Sequence, residues 1–245
     1  MLGSLVEVVR GLAGLIYPNA CLLCDAPETE SAPIRHGLCM SCFSAIATDA
    51  ASVCPKCAAT VGPHTDLSDG CFACRPRSFA FEEAVRLGPY SGKLQEAIVR
   101  IKFSPGEPLA ERLGLVFAEE RVTWLKGKGI ERVVPVPLHW RRRWTRGFNQ
   151  AATLAREVAN ALSVPFQPGT LRRIKAASQH AQPSATARQE NIRGAFVCSP
   201  RASLKSRIVL LIDDVMTTGS TVGEAARVLK AAGAAKVYVA VLARA

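Results

Sequence analysis

Eight of the nine cysteines fall between residues 21 and 74, in four C-x-x-C pairs: Cys21/Cys24, Cys39/Cys42, Cys54/Cys57 and Cys71/Cys74. Two cysteines three apart put both sulfurs on one ion when the chain turns tightly between them, and two such knuckles complete a tetrahedral four-thiolate site. The segment has few large apolar residues with which to build a core of its own. Zinc binding, worth about 10–16 kcal/mol per structural site, would supply the missing folding energy. The spacing predicts two structural zinc ions. Sequential pairing of the knuckles and a cross-braced arrangement both satisfy it. An iron–sulfur cluster draws on the same thiolates, and a thioredoxin-like redox pair needs a βαβ context that this segment lacks. Cys198, in the apolar "AFVC", reads as a buried structural thiol.

The charge divides the chain at about the same place. Residues 1–75 carry a net −3 and residues 76–245 a net +14, within a total of +11 over 245 residues. An acidic module followed by a basic one is expected. The basic part suits phosphate-bearing ligands, nucleic acid or an anionic surface, or is simply a solvated basic face. No apolar run approaches the roughly 20 residues of a membrane span. At the N-terminus, Leu2, Leu5, Val6, Val9, Leu12 and Ile16 recur at helical spacing, so residues 1–17 are expected to form a docked amphipathic helix rather than an export signal. The cysteines are then expected to be reduced, in a cytoplasm.

From Phe79 onward the pattern alternates. "EEAVRLGPY" predicts a strand and "GKLQEAIVRIKF" a helix with Leu94, Ile98 and Ile101 on one face; residues 107–126 predict a second helix. "ERVVPVPL" predicts a buried strand that runs into prolines, "NQAATLAREVANALSV" a helix, and residues 172–194 a long polar loop. "RIVLLID", "TVGEAARVLKAAG" and "KVYVAVLA" predict strand, helix and strand. Apolar strands separated by helices mean an α/β domain with a parallel sheet covered on both faces. The expected organisation is a helix over 1–17, a small zinc-ribbon module over 18–76 and an α/β domain over 79–245.

Ligands of such sheets bind at the carboxyl ends of the strands. There the sequence reads "DDVMTTGST". The turn from Thr217 to Thr221 enters a helix N-terminus, where free backbone N–H groups and the dipole favour a phosphate. Thr217, Thr218, Ser220 and Thr221 add hydroxyl donors, and Gly219 lets the backbone approach an anion. There is no lysine and no nucleoside-triphosphate loop spacing. Asp213 and Asp214 repel phosphate but accept hydrogen bonds from hydroxyl groups. Phosphate donors beside diol acceptors describe a sugar phosphate; the plainer alternative is an acidic strand end followed by a capping turn.

"VLLIDDVMTTGST" resembles the phosphoribosyl-pyrophosphate (PRPP) signature of type I phosphoribosyltransferases. The order of "CLLC", the four knuckles, "IKF", "PVPLHWRRRWTRGFNQ", "ENIRGAF" and "IDDVMTTGST" is similar to that of the ComF family, described as competence proteins or amidophosphoribosyltransferases, over roughly residues 15–245. The resemblance implies a type I phosphoribosyltransferase-like domain after a double zinc ribbon. It implies that Thr217, Thr218, Gly219, Ser220 and Thr221 hold the 5′-phosphate and that Asp213 and Asp214 meet the ribose hydroxyls. Residues 137–146 would lie near the pyrophosphate, with Arg143 and above all Arg146 among its ligands. Asp213, Asp214 and Arg146 become the candidate catalytic residues, and Mg would bridge pyrophosphate and ribose oxygens. Arg188, Asn191 and Arg193 would come from a mobile loop that closes over the reacting centre. The chain departs from the family pattern in that loop, where His180 and Pro183 stand in place of a usual glutamine and leucine.

Two functional classes follow. One is Mg-dependent phosphoribosyl transfer from PRPP to an acceptor, linked by the resemblance to DNA uptake. The other is a non-catalytic protein of natural transformation that senses PRPP or grips single-stranded DNA through the arginines, Trp140, Trp144 and Phe148, with competence proteins as partners. Glutamine-dependent amidotransfer is not expected, because it uses an N-terminal nucleophilic cysteine and this chain starts Met1-Leu2.

Overall fold

Strand β7 (Ile208–Met216) and strand β8 (Lys236–Arg244) pair in parallel at the centre of a four-stranded sheet. Its order is β3 (Ala84–Pro89), β8, β7, β4 (Arg132–Pro135), parallel throughout. Side chains alternate across such a sheet. Val209, Leu211, Val237, Val239 and Val241 therefore bury on one face, and Leu210, Ile212, Tyr238, Ala240 and Leu242 on the other. A sheet apolar on both faces needs cover on both. On the second face lie α2 (Gly92–Arg100), α3 (Glu107–Glu120) and α6 (Gln150–Leu162), contributing Leu94, Ile98, Leu113, Phe117, Leu154 and Val158. On the first lies α7 (Ser220–Ala231), through Val222, Ala225, Ala226 and Leu229. The structure, a computed structural model, describes residues 20–103, 105–175 and 191–245. The helix expected over 1–17 lies outside the described residues. Among them, no helix is long and apolar enough to cross a membrane.

The cysteine knuckles pair in sequence order rather than cross-braced: Cys21, Cys24, Cys39 and Cys42 form one tetrad, and Cys54, Cys57, Cys71 and Cys74 the other. The tetrads sit on opposite faces of the sheet. The first shares its apolar cluster with α2 and α3, and the second with α7. The first knuckles also carry a short hairpin, β1 (Ile34–Arg35) with β2 (Leu38–Cys39), and a helix, α1 (Met40–Ala47), neither of which the sequence pattern announced. Leu23, Leu38, Phe43 and Ile46 are buried in the cluster they share with the α/β domain. The module thus does not lack a core; it borrows one.

Between the tetrads the chain crosses the outer edge of β3. Arg86 of β3 donates from Nε to Asp49 Oδ2 (2.8 Å) and from Nη1 to the Ala58 carbonyl (3.1 Å), and both side chains of the Arg86–Asp49 pair are buried. The Ala84 N–H donates to the Pro55 carbonyl (3.0 Å). The last contact satisfies a backbone donor that the edge would otherwise leave unpaired, and the Arg86 side chain fixes the crossing chain beside it.

Three further differences from the sequence pattern have physical causes. The helix expected over 107–126 is two helices, α3 and α4 (Val122–Gly127), broken at Arg121. Arg121 turns its guanidinium to the Arg86 and Leu87 carbonyls of β3 (2.8 and 2.6 Å), serving the same edge. The ends of the expected loop 172–194 are ordered into an antiparallel pair, β5 (Leu171–Arg173) with β6 (Phe196–Cys198). Cys198 is half-buried rather than buried, at the end of that two-stranded pair.

Removing one partner of a buried ion pair leaves an uncompensated charge, at a cost of about 3–5 kcal/mol. Asp49→Ala is therefore expected to lower the denaturant midpoint by that equivalent, whereas Lys93→Ala, which breaks the exposed Lys93–Glu96 pair, leaves it in place. Equal midpoints for the two variants would refute the importance assigned to the Arg86–Asp49 pair.

Candidate functional site

All four sheet strands run the same way, so their carboxyl ends converge. Strand β7 continues through both acids to Met216, so Asp213 and Asp214 lie within the strand rather than in the turn after it. The Val136 N–H, just past β4, donates to the Ile212 carbonyl (2.8 Å). The segment that begins at Val136 therefore starts beside the acid pair. Asp213 Oδ1 accepts from the Asp214 N–H (2.9 Å), and Asp214 Oδ1 from the Val215 N–H (2.8 Å). On one side Asp213 borders a small apolar cavity lined by Phe117, Leu154, Val158 and Leu242. Burial against these groups, and then the Asp214 carboxylate, push Asp213 well above the usual carboxylate range.

On its other side Asp213 lines a pocket together with Met216, Thr217, Gly219, Ser220 and Thr221. Helix α7 starts at Ser220, and Gly219 before it holds φ 78°, the left-handed region open to glycine. Thr218 Oγ1 and Ser220 Oγ are 2.8 Å apart, and the Gly223 N–H closes the first helical turn onto the Gly219 carbonyl (2.8 Å). The first N–H groups of a helix have no partner within it and face outward along its axis. The structure thus brings Asp213 and the turn from Thr217 to Thr221 around one hollow.

Lys102, the middle residue of "IKF", places Nζ 3.6 Å from Asp214 Oδ2. It was not among the residues singled out from the sequence, although a cation between two apolar residues was the available signal. Gln150, the last residue of "RGFNQ", is buried. It donates from Nε2 to the Ile101 carbonyl (3.2 Å) and accepts at Oε1 from Arg146 Nη1 (3.3 Å). A chain of contacts therefore runs from Arg146 through Gln150 to Ile101 and Lys102, and from Lys102 to Asp214. Asn149 donates to the Val136 carbonyl (3.1 Å). Arg143 falls on α5 (Trp140–Arg146), but its side chain lies outside what the structure describes. The same helix presents Trp144, 87% exposed, and Trp140, 60% exposed. Phe148 packs against the sheet's second face.

Of the expected loop residues, Arg188 lies outside the described residues, as do His180 and Pro183. Asn191 and Arg193 are exposed and sit where the chain returns to α7: the Gly194 N–H donates to Glu224 Oε1 (2.8 Å), and Glu224 pairs with Arg227. The buried carboxylate of Glu224 anchors this return, a role the helical pattern of α7 did not disclose.

In each tetrad the four sulfurs lie within 4.8 Å of one another. Cys24–Cys39 and Cys54–Cys74 are separated by 3.7 and 3.8 Å, and Cys57–Cys71 by 3.5 Å. A tetrahedron with zinc–sulfur bonds of about 2.3 Å has edges of about 3.8 Å, so the sulfurs fit zinc. The thiols also differ within a tetrad. At Cys21 burial opposes ionisation, but the backbone N–H groups of Cys39, Leu23 and Cys24 hold it down to about 7, while burial pushes Cys42 up. A divalent cation is what lets such unequal thiols ionise together. Among the described residues no carboxylate cluster forms a comparable cage.

Residues 12–75 match the double zinc ribbon domain and residues 149–245 the phosphoribosyl transferase domain. DNA utilization protein YhgH of Escherichia coli (strain K12) is 32% identical over 94% of this chain and 99% of its own length. Competence protein F of Haemophilus influenzae is 30% identical over 86% of this chain and 92% of its own. Among solved structures, the glutamine PRPP amidotransferase from B. subtilis aligns over 59% of this chain and 30% of that one, at 20% identity and a TM-score of 0.40. Similarity over nearly the full length of both chains, with a double zinc ribbon followed by a phosphoribosyl transferase domain, makes this chain a member of the ComF family.

Proposed function

We propose that the hollow between Asp213 and the 217–221 turn binds PRPP, and that the protein transfers its phosphoribosyl group to an acceptor nucleophile. The observation that carries this reading is the single pocket lined by a strand-end carboxylate and by a hydroxyl-rich helix N-terminus. Thr217, Thr218, Ser220 and Thr221 would donate to the 5′-phosphate, with Gly219 leaving the backbone close to it. Asp213 and Asp214 would accept from the ribose hydroxyls. Arg143 and Arg146 would face the pyrophosphate; Arg188, Asn191 and Arg193 would close over it. In the reaction the bond from the anomeric carbon to a pyrophosphate oxygen breaks, the electron pair leaves with pyrophosphate, and the acceptor forms the new bond. The residues orient the two ends and stabilise the departing charge. Mg, held by pyrophosphate oxygens, ribose and water with at most the acid pair from the protein, would neutralise the diphosphate. The eight tetrad cysteines would hold two structural zinc ions in a reducing compartment such as the cytoplasm. The ribbon over 18–76 and the transferase-like domain over 79–245 would be the two working units.

A second reading is single-stranded DNA binding, favoured by the exposure of Trp140 and Trp144 on α5, whose sequence WRRRWTR is rich in arginine. The relatives' names, a DNA utilization protein and a competence protein, point the same way. Stacking rings beside cations suit a single strand.

Charge-assisted hydrogen bonds are worth about 1.5–3 kcal/mol each. Asp213→Asn with Asp214→Asn is therefore expected to weaken Mg·PRPP binding at least about tenfold in isothermal titration. Long-range charge alone predicts the opposite, so tighter binding would overturn the ribose assignment. Single-stranded DNA affinity is expected to fall steeply with salt as counterions are released, and to drop in Arg141→Ala with Arg142→Ala and Arg143→Ala. Salt-insensitive binding, or no loss in the triple variant, would remove the DNA reading. Because its folded-state pKa is raised, Asp213 makes the fold bind more protons than the unfolded chain, and stability falls as pH rises from the ordinary carboxylate value toward the raised one. Asp213→Asn should raise Tm at neutral pH, by about 2–4 °C for each kcal/mol relieved, with the gain shrinking as pH is lowered. A gain that does not vary with pH would show that Asp213 carries no such penalty.

A further inference from the structure

The two cysteine tetrads differ in what they touch. The first reaches the helices of the second sheet face: Arg100 of α2 donates to the Leu23 carbonyl (2.9 Å), and Arg35 and His36 pair with Glu119 of α3. The second reaches the 217–221 turn, by three independent routes. Arg77, three residues past Cys74 and held to the Cys74 carbonyl through its own N–H (3.0 Å), donates from Nη1 to the Thr218 carbonyl (2.5 Å). Arg244 donates from Nε to the Cys57 carbonyl (3.1 Å) and from Nη1 to the Met216 carbonyl (3.2 Å), bridging the knuckle and the strand end that leads into the turn. Phe79, stacked on buried Phe81 with ring centroids 4.7 Å apart, lies against Gly219 so closely that a Cβ there would stand 2.9 Å from the ring. Cys54, Cys57, Cys71 and Cys74 also share one apolar cluster with Met216, Val222 and Ala225.

None of the nine cysteines is in a disulfide. The two halves of the second tetrad are separated by a turn-rich stretch between Cys57 and Cys71, and a shared ion would tie them at their present spacing. The carbonyl of Cys57 and the chain from Cys74 to Arg77 therefore keep their positions as long as the tetrad is filled.

We propose that the second tetrad is a clamp on the 217–221 turn, with Arg77 and Arg244 as its positioning residues, so that zinc at Cys54, Cys57, Cys71 and Cys74 and a sugar phosphate at the turn strengthen each other's binding, while zinc at the first tetrad does not take part. The ligand half of this rests on the sugar-phosphate reading above; the clamp itself does not. Thermodynamic linkage makes the coupling reciprocal. Whatever factor zinc contributes to ligand affinity, the ligand contributes to zinc retention, which a residue needed only for folding does not produce.

The test starts from the protein with both tetrads filled. Backbone hydrogen exchange is followed in the ligand-free protein, and zinc transfer to a colorimetric chelator is followed with and without Mg·PRPP. In Arg77→Ala the zinc content should stay at two per chain while exchange of residues 217–222 rises about tenfold or more, the signature of a locally released segment. Cys71→Ser should accelerate the same amides and Cys39→Ser should not. Arg77→Lys, which keeps a cationic donor, should restore part of the protection. With Mg·PRPP present, release of one of the two zinc ions should slow about tenfold, the ion retained in Cys39→Ser but lost in Cys71→Ser. Unchanged exchange at 217–222 in both Arg77→Ala and Cys71→Ser would overturn the clamp, whatever ligand the site takes. Accelerated exchange with PRPP bound in isothermal titration but without effect on zinc release would overturn the coupling, whereas accelerated exchange with no PRPP binding in titration would leave the clamp standing and overturn the sugar-phosphate reading. Equal slowing of both zinc ions would overturn the selectivity for the second tetrad.

Discussion

The outer edge of β3 makes the two halves of this chain depend on each other. A parallel strand at the end of a sheet offers a row of donors and acceptors that must be answered or kept wet. Here the Pro55 carbonyl of the second ribbon answers the Ala84 N–H, Arg121 answers the Arg86 and Leu87 carbonyls, and Asp49 of the linker and the Ala58 carbonyl hold the Arg86 side chain. Because the linker lies on the edge itself, one ribbon is delivered to each face of the sheet. The position of every cysteine relative to the site follows from that crossing.

The site obeys a different constraint. Ordinary strand ends are relieved of charge as they enter solvent, but β7 carries two adjacent carboxylates while still paired with β8. One of them is pressed against an apolar cavity, with Lys102 as the nearby cation of the pair. Such a feature costs stability, and perturbed carboxyls are more frequent at sites of function than elsewhere. The turn beyond it is held from outside by Arg77 and Phe79, so its conformation is imposed by packing rather than chosen by its own residues.

Much of this could be read in the sequence, and the reasons for success and failure are local. The continuous apolar runs at 208–212 and 237–242 declared buried parallel strands, and the C-x-x-C spacings declared two tetrads, since both signals are short-range. "DDVMTTGST" was recognisable because strand, acids and turn follow one another without interruption. The connection between tetrads was not legible, because sequential and cross-braced pairings obey the same spacing. Neither were Lys102, Gln150 and Arg77: each acts on a partner 49 to 141 residues away, and nothing in their own neighbourhoods marks them. The break at Arg121 is illegible for the same reason, since its cause is the edge of a strand 34 and 35 residues earlier in the chain.

Strand order has a bearing on how the molecule comes into being. Strand β8 is the last of the described elements in sequence, yet it stands between β3 and β7 at the middle of the sheet. During synthesis the ribbons and β3 leave the ribosome first; β4 and β7 can pair with each other as they follow, but β3 has no neighbour in the sheet until β8 is made. Assembly must wait for residues 236–244, a long-range closure of the kind that slows folding. In the interval the apolar sides of α3, α6 and α7 stay uncovered, and they invite association with other chains. The ribbons, metallated early, would give the nascent polypeptide one finished end on which the remainder condenses.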